Sequence, residues 1–319
     1  MSTTIDPGTA DRAELTGAPT VHTPGFSLVV PAYNEEGGIA ASLERVLDVL
    51  ATAGSDYEII VVDDGSTDGT AAAVAAFDRG VRLLRHGSNR GYGAALKTGI
   101  RNARFATIVI TDADGTYPNE RIPELARHKA DGGFHMVVGA RTGRHVKVPL
   151  IRKPAKWVIG RLANFVVGEK IPDINSGLRL FDRDVALKFF PMLPDGFSFT
   201  TTITMSTLSN GYLVDFVPID YHARIGRSKI RPIRDTLNFL QLIARMALYF
   251  APLKLFLPAS LALFGAGVAW GTATRLLTGE LADVSTLVIV TAALHIGAIG
   301  LLAELMRASL WSDYRNEED

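Results

Sequence analysis

Residues 109–118 read Val-Ile-Thr-Asp-Ala-Asp-Gly-Thr-Tyr-Pro, placing Asp112 and Asp114 one small residue apart at the end of an apolar run. Three jobs suit such a pair: capping a helix, sharing a proton as an acid/base dyad, or holding a metal ion. A cap needs one carboxylate, and Thr116 or Asn119 lies nearer the next helical stretch. A dyad usually draws its members from separate segments. On an extended chain, alternate side chains point the same way, about 6.5–7 Å apart at Cα, so a divalent cation fits between them with phosphate and water oxygens completing its shell. Oxygen ligands suit Mg²⁺ best and allow Mn²⁺.

Three other polar clusters precede this one: Pro-Ala-Tyr-Asn-Glu-Glu (31–36), Asp-Asp-Gly-Ser-Thr-Asp-Gly-Thr (63–70) and Gly-Ser-Asn-Arg-Gly-Tyr-Gly (87–93). Each follows a short apolar, β-branched run: Phe26–Val30, Glu58–Val62, Val81–Leu84 and Thr107–Thr111, with a fifth at His135–Gly139. Such runs read as buried strands of a mostly parallel sheet. Between the first two, Ile39, Leu43, Val46, Leu47 and Leu50 recur at helical spacing opposite Glu44, Arg45 and Asp48. Further helical stretches begin at Asp68, Gly93 and Asn119. The alternation predicts an α/β doubly wound domain with its site at the strands' carboxyl ends, where the polar clusters gather.

The glycines of Gly91–Leu96 do not make a dinucleotide fingerprint, because Leu96 stands at the third glycine's position and the first βα turn holds Pro31–Glu36 instead. Asp68 can cap a helix, with Gly65 and Gly69 as turn residues. That leaves Asp63 and Asp64, together at a strand end, without an explanation.

Composition bounds the remaining classes. Of 319 residues, 33 are Lys or Arg and 33 are Asp or Glu, a neutral balance that argues against a general nucleic-acid binder. There is no cysteine, which excludes disulfides, thiolate metal sites and a cysteine nucleophile. Residues 1–25 are polar and rich in Thr, Gly, Pro and Ala, and read as a disordered arm rather than a secretory signal. The apolar residues concentrate near the other end, where Leu255–Thr274 and Val284–Ala303 are uncharged stretches, each about 20 residues and long enough to span a bilayer. The alternative is a pair of buried helices in a large soluble protein. Arg224, Arg227, Lys229, Arg231, Arg234, Arg245 and Lys254 precede the first stretch, Arg307 and Arg315 follow the second, and Arg275 alone lies between. By the positive-inside rule, both ends of such a hairpin face the cytoplasm, and everything before it with them. Residues 148–168 mix basic, aromatic and aliphatic residues, as an interfacial amphipathic helix does. Residues 231–254 read as a second, juxtamembrane helix.

Taken together, Pro31–Glu36, Val61–Thr70 and Asp112–Gly115, in this order and spacing, resemble family 2 glycosyltransferases with the GT-A fold. Asn175–Phe181 and Arg224–Ile230, with the apolar hairpin behind them, are similar to the polyprenyl-phosphate sugar synthases, the branch of the dolichyl-phosphate mannose and glucose synthases and their undecaprenyl counterparts. The likeness runs from about Phe26 to Arg307.

The resemblance implies a Rossmann-like GT-A domain over 26–230, two transmembrane helices over 255–306 and a cytoplasmic tail over 307–319. It implies that Pro31, Tyr33 and Glu35 line the nucleotide pocket, that Val62 and Asp64 hold base and ribose, and that Ala113 packs beside the ribose. Asp112 and Asp114 would hold Mg²⁺ or Mn²⁺ on the donor diphosphate. Arg141 would face the phosphates or the lipid acceptor, and Arg224 and Lys229 would close over the diphosphate. Relatives often carry Leu-Gln after the aspartate pair, where this chain has Gly115 and Thr116.

The implied reaction is inverting, metal-dependent transfer of a hexose from a nucleotide-sugar, UDP-glucose-like or GDP-mannose, to a polyprenyl monophosphate. An acceptor that is already anionic needs no strong base, so the protein's task is to neutralise and align phosphates. Arg152 or Lys153 is a further candidate for the lipid phosphate, and a homo-oligomer through the hairpins is expected. Arg179 reads as a structural partner of Asp173 or Asp182, His295 as packing within its span, and Ser198–Thr204 as a polar helix or loop near the acceptor. A processive polysaccharide synthase is the rival enzyme, but Gln241 and Arg245 lack its Gln-x-x-Arg-Trp spacing. A non-catalytic nucleotide-sugar binding or scaffold protein is the rival of another class.

Overall fold

The computed structural model describes residues 25–77, 80–142, 153–221, 241, 244–280 and 282–316. Seven strands form one sheet: β1 (Phe26–Ala32), β2 (Tyr57–Asp63), β3 (Val81–Arg85), β4 (Thr107–Ile110), β5 (Met136–Ala140), β6 (Arg179–Asp182) and β7 (Val214–Pro218), in the order β3-β2-β1-β4-β6-β5-β7. β6 runs antiparallel to both its neighbours, β4 and β5, and the other pairs are parallel. The order reverses between β1 and β4, and a crevice opens beyond the carboxyl ends of parallel strands at such a point.

The first five strands lie where the apolar runs predict them. Six helices flank or extend the sheet: α1 (Ile39–Ala51), α2 (Thr70–Ala75), α3 (Tyr92–Asn102), α4 (Ile122–Asp131, after a short 3₁₀ turn), α5 (Lys153–Val167) and α6 (Arg183–Phe189). α1 buries Ile39, Leu43, Val46 and Leu50 on one sheet face with Leu28, Val30, Ile59 and Val61. The other face packs Val29, Ile60, Val62, Ile108 and Ile110 against α3 and α6. Alternating in-and-out side chains on strands buried on both faces produce these two layers.

α7 (Phe199–Ser209), the segment expected as a polar helix or loop, is a buried helix: Phe199 through Thr207 are all buried. Its threonines tolerate burial because each hydroxyl can return a hydrogen bond to a carbonyl one turn back, as Thr204 Oγ1 does to Thr200 O (2.8 Å) and Thr207 Oγ1 to Ile203 O (2.9 Å).

The C-terminal region forms two long apolar helices, α8 (Pro252–Thr278) and α9 (Asp283–Asn316). They pack closely where glycine removes side-chain bulk: a Cβ at Gly300 would lie 2.5 Å from Phe256, and one at Gly267 3.0 Å from Ile289. Ser260 donates to Ala293 O across the pair (2.8 Å). Their outer faces stay open, Leu276 and Leu277 being 79% and 85% exposed, so these are not core helices of a soluble domain. His295, expected to pack within the span, lies instead on the exposed face, because Ala293 and Gly300 occupy the inner one.

Candidate active site

The first two polar clusters are laced into one surface. Asn34 N donates to Ser66 Oγ (3.0 Å), Thr67 N to Asn34 Oδ1 (2.9 Å), Glu35 N to Thr70 Oγ1 (2.9 Å) and Gly69 N to Glu36 Oε2 (3.0 Å). Asp68 Oδ1 accepts from Thr70 N and Oγ1, the helix-start role expected of it. Burial tends to raise its pKa, and the Thr70 bonds more than offset this, leaving it below the usual carboxylate value. Pro31 is buried at the crevice floor, and Tyr33 and Glu35 are half-buried above it.

Asp63 and Asp64 now have separate explanations. Asp63, fully buried, accepts from Ser66 N (3.0 Å) and Arg85 Nε (3.0 Å). Asp64 accepts from His86 Nδ1 (2.6 Å), Arg90 N (2.9 Å) and Gly91 N (2.7 Å), and His86 Nε2 meets Thr98 Oγ1 (2.9 Å). A carboxylate has about four acceptor sites, so Asp64 has roughly one left for a ligand. His86 went unnoticed in the sequence; a lone histidine after a strand carries no signal of a partner 22 residues away.

Val62 is fully buried and packs with Val29, Ile60 and Leu96; Ala113, also buried, packs in the opposite layer. Both side chains belong to the core, so any contact they make with a ligand runs through their backbone.

Gly91 and Gly93 serve packing. Their Cβ atoms would lie 2.4 Å from Asp195 O and 2.2 Å from Pro194 O, so only glycine lets the 194–196 segment cross the start of α3. That segment is fixed by Ala94 N to Asp195 O (3.0 Å) and Lys97 to Asp195 (2.8 Å). It carries Phe197, 74% exposed, stacked on Tyr92 at 5.6 Å.

Asp112 and Asp114 lie just past β4, in a turn that begins at Ala113 rather than on a continuing strand, and both are half-buried. Tyr92 donates its hydroxyl to Asp112 Oδ1 (3.0 Å). Burial, with the Asp112 charge adding to it, pushes the Tyr92 phenol well above its ordinary pKa, so it stays a donor. Thr116 supports Asp114 Oδ1 through its N–H (3.2 Å) and hydroxyl (2.6 Å). Gly177 presses against Asp112: a Cβ there would lie 2.9 Å from Oδ1. Its N–H donates to Tyr117 Oη (2.6 Å), and burial raises the Tyr117 pKa as well. Antiparallel β6 brings this turn in, since Arg179, its first residue, pairs with Ile110, the last of β4.

Among the described residues no group of three His, Cys, Asp or Glu surrounds a metal position. Two carboxylates and a threonine hydroxyl make an oxygen-only set, which fits a hard divalent cation that takes its other ligands from water and substrate phosphate.

Arg141 follows β5 and is gripped by Asp173, which accepts from its Nε (2.7 Å), Nη2 (2.9 Å) and backbone N–H (3.0 Å). Burial opposes its charge, but Asp173 more than offsets this and drives its pKa up, so it is always a cation. Arg179 does not pair with Asp173 or Asp182 as expected. It is fully buried and donates to Ser176 O, Thr200 O (2.9 Å) and Thr204 Oγ1 (2.7 Å), binding the 175–178 turn to α7. Burial lowers its pKa to about 10, which leaves it protonated at neutral pH. Arg224, Lys229 and Arg152 lie outside the described residues; Lys153 begins α5.

The strand order and the crevice define a GT-A-like α/β fold. Residues 27–190 match the profile of glycosyl transferase family 2 and 251–308 that of the GtrB C-terminal hairpin. The chain belongs to glycosyl transferase family 2.

Its relatives include a low-salt glycan biosynthesis hexosyltransferase of Haloferax volcanii, 30% identical over 66% of this chain and 51% of the relative. The undecaprenyl-phosphate 4-deoxy-4-formamido-L-arabinose transferase of Klebsiella pneumoniae is 34% identical over 50% of this chain and 49% of its own. The match therefore spans about half the length of these two proteins. The undecaprenyl-phosphate mannosyltransferase of Micrococcus luteus is 30% identical over 63% of this chain and 86% of the relative. Glucosyl-3-phosphoglycerate synthase from Mycobacterium tuberculosis, in complex with Mn²⁺, UDP-glucose and phosphoglyceric acid, shares the fold at a TM-score of 0.55 and 21% identity, covering 70% of this chain and 79% of that one.

Proposed function

We propose that the protein transfers a hexose from a nucleoside-diphosphate sugar, UDP-glucose-like or GDP-mannose, to a polyprenyl monophosphate at a membrane, with inversion at the anomeric carbon. The seating of Asp112 and Asp114 carries this reading. Two half-buried carboxylates, steadied by Tyr92, Thr116 and Gly177, stand at the switch point of the sheet in a chain that ends in an apolar hairpin. Relatives named as undecaprenyl-phosphate and dolichyl-phosphate sugar transferases support the acceptor class.

Asp112 and Asp114 would hold Mg²⁺ or Mn²⁺, which when bound neutralises the charge gathering on the departing diphosphate. Pro31, Tyr33, Glu35 and the open acceptor position of Asp64 form the nucleotide end of the crevice. The acceptor's phosphate oxygen is already anionic, so it attacks the anomeric carbon with no proton to remove and the diphosphate leaves from the opposite face. Arg141, its Nε and Nη2 committed to Asp173, keeps Nη1 for the acceptor phosphate. Holding two anions in line is work the chain's fixed cations do by position. Arg224 and Lys229 join this set by resemblance.

The helices α8 and α9 would cross the bilayer, with Arg245, Lys254 and Arg307 on the side of the catalytic domain. The positive-inside rule then makes that side the cytoplasm.

The test is to incubate the full-length protein in membranes with polyprenyl phosphate and a panel of radiolabelled nucleotide sugars. The reading expects label from one of them in the organic phase as an acid-labile lipid phosphosugar. Hydrolysis alone, or label only in polymer, overturns it.

A further inference from the structure

A cavity of about 540 Å³ opens where the catalytic domain meets the hairpin, between the ends of α5 and α7 and the adjoining ends of α8 and α9. Its level relative to a bilayer follows from the sequence. Lys254 immediately precedes the first uncharged stretch, Glu304 immediately follows the second, and Arg307 stands one turn further on. The cavity therefore straddles the plane where hydrocarbon gives way to headgroups.

Its polar groups hold more donors than acceptors. Lys254 Nζ donates to Val166 O (3.0 Å) and Phe165 O (3.4 Å) at the end of α5, and an ammonium has a third proton. Arg307 engages Glu304 Oε1 through Nε (3.0 Å) and Nη2, leaving Nη1. Glu304 is the one acidic lining residue, and its other oxygen takes Leu253 N (3.4 Å). Ser209 Oγ also lines the space and is buried without a hydrogen-bond partner. Two cations against one carboxylate leave a surplus positive charge. Beside them Phe165 and Leu257 are 53% and 43% exposed.

We propose that this cavity binds one anionic phospholipid of the surrounding bilayer, its phosphodiester on Lys254 and Arg307 and its chains along Phe165 and Leu257. A single negative charge balances the surplus, and a phosphodiester supplies the acceptors that the Lys254, Arg307 and Ser209 donors lack. The site is separate from the one where a polyprenyl phosphate would react. Thr200, in the first turn of α7, holds Arg179 beside the aspartate turn, whereas Ser209 ends the same helix, about 13 Å further along its axis.

The test uses the full-length protein, delipidated in detergent, with dioleoyl phosphatidylglycerol and dioleoyl phosphatidylcholine as probes and native mass spectrometry as the readout. One phosphatidylglycerol per chain should survive washing that strips phosphatidylcholine, and K254Q/R307Q should retain at least about tenfold less. Equal retention of the two lipids overturns the proposal, as does unchanged retention by the double variant. Displacement of phosphatidylglycerol by equimolar polyprenyl phosphate also overturns it, because the cavity would then belong to the acceptor. Should the double variant fail to fold, L257W, which fills the cavity from the lipid side, must show the same loss, and full retention there overturns it equally.

Discussion

Two pairs of aspartates stand at the carboxyl ends of β2 and β4, the strands on either side of β1, and their surroundings differ. Asp63 and Asp64, at β2, are buried and bound by backbone N–H groups, Arg85 and His86. Asp112 and Asp114, after β4, are half-buried and steadied by the hydroxyls of Tyr92 and Thr116. The first pair holds loops in place. Asp63 and Asp64 accept mainly from nitrogen donors deep in the fold, Asp64 keeping about one acceptor position, whereas Asp112 and Asp114 accept from hydroxyls at the mouth of the crevice. Residue type and strand-end position do not separate the two cases; exposure and the identity of the partners do.

The sharpest way to break this contrast is at the second pair. Asp112→Ala or Asp114→Ala should lower hexose transfer at least about a thousandfold while leaving circular dichroism and membrane retention unchanged. Near-normal transfer by either variant would remove the pair from the chemistry. Asp63→Ala should do the reverse, costing about 1–2 kcal/mol of stability in denaturant titration, because Ser66 N loses its acceptor while Arg85, more than half exposed, turns to water. Transfer per folded molecule should then stay within a few fold of wild type.

Smaller effects lie with the supports. Tyr92→Phe removes the donor to Asp112 and should raise the half-saturating Mn²⁺ concentration about tenfold, with the fold intact. Thr116→Val should shift the same quantity about threefold, since Asp114 keeps the Thr116 N–H. Because burial and Asp112 hold the Tyr92 phenol above its ordinary value of 10.0, the wild-type pH–rate profile should show no loss from this group up to pH 10. A Y92F-sensitive decline below that pH would show the phenol to be less shielded than its surroundings indicate.

The sequence-legible parts were those with local patterns. Five strands declared themselves as short β-branched runs, α1 as a 3.6-residue stripe, and the hairpin by uncharged length. β6 and β7 did not. β6 has four residues and opens on Arg179, which reads as an ion-pair partner of Asp173 or Asp182, yet is buried because Ser176 O nearby and Thr200 O and Thr204 Oγ1 from more than 20 residues away supply its acceptors. The same distance hid the Asp64–His86 bond and the Gly177 contact with Asp112. Gly91 and Gly93 resembled ligand-binding glycines, but the need they meet is the close crossing of residues 194–196, visible only once the chain has folded. The aspartates of the crevice could be picked out from sequence; the partners each one takes could not.

Electron paramagnetic resonance of Mn²⁺ added with a nucleoside diphosphate tests the central claim most directly, comparing the wild-type protein with D112N/D114N and D63N. The account predicts one bound Mn²⁺ per chain in the wild type and in D63N, and none in D112N/D114N. Retention of the bound ion by D112N/D114N, or its loss from a folded D63N, would contradict it.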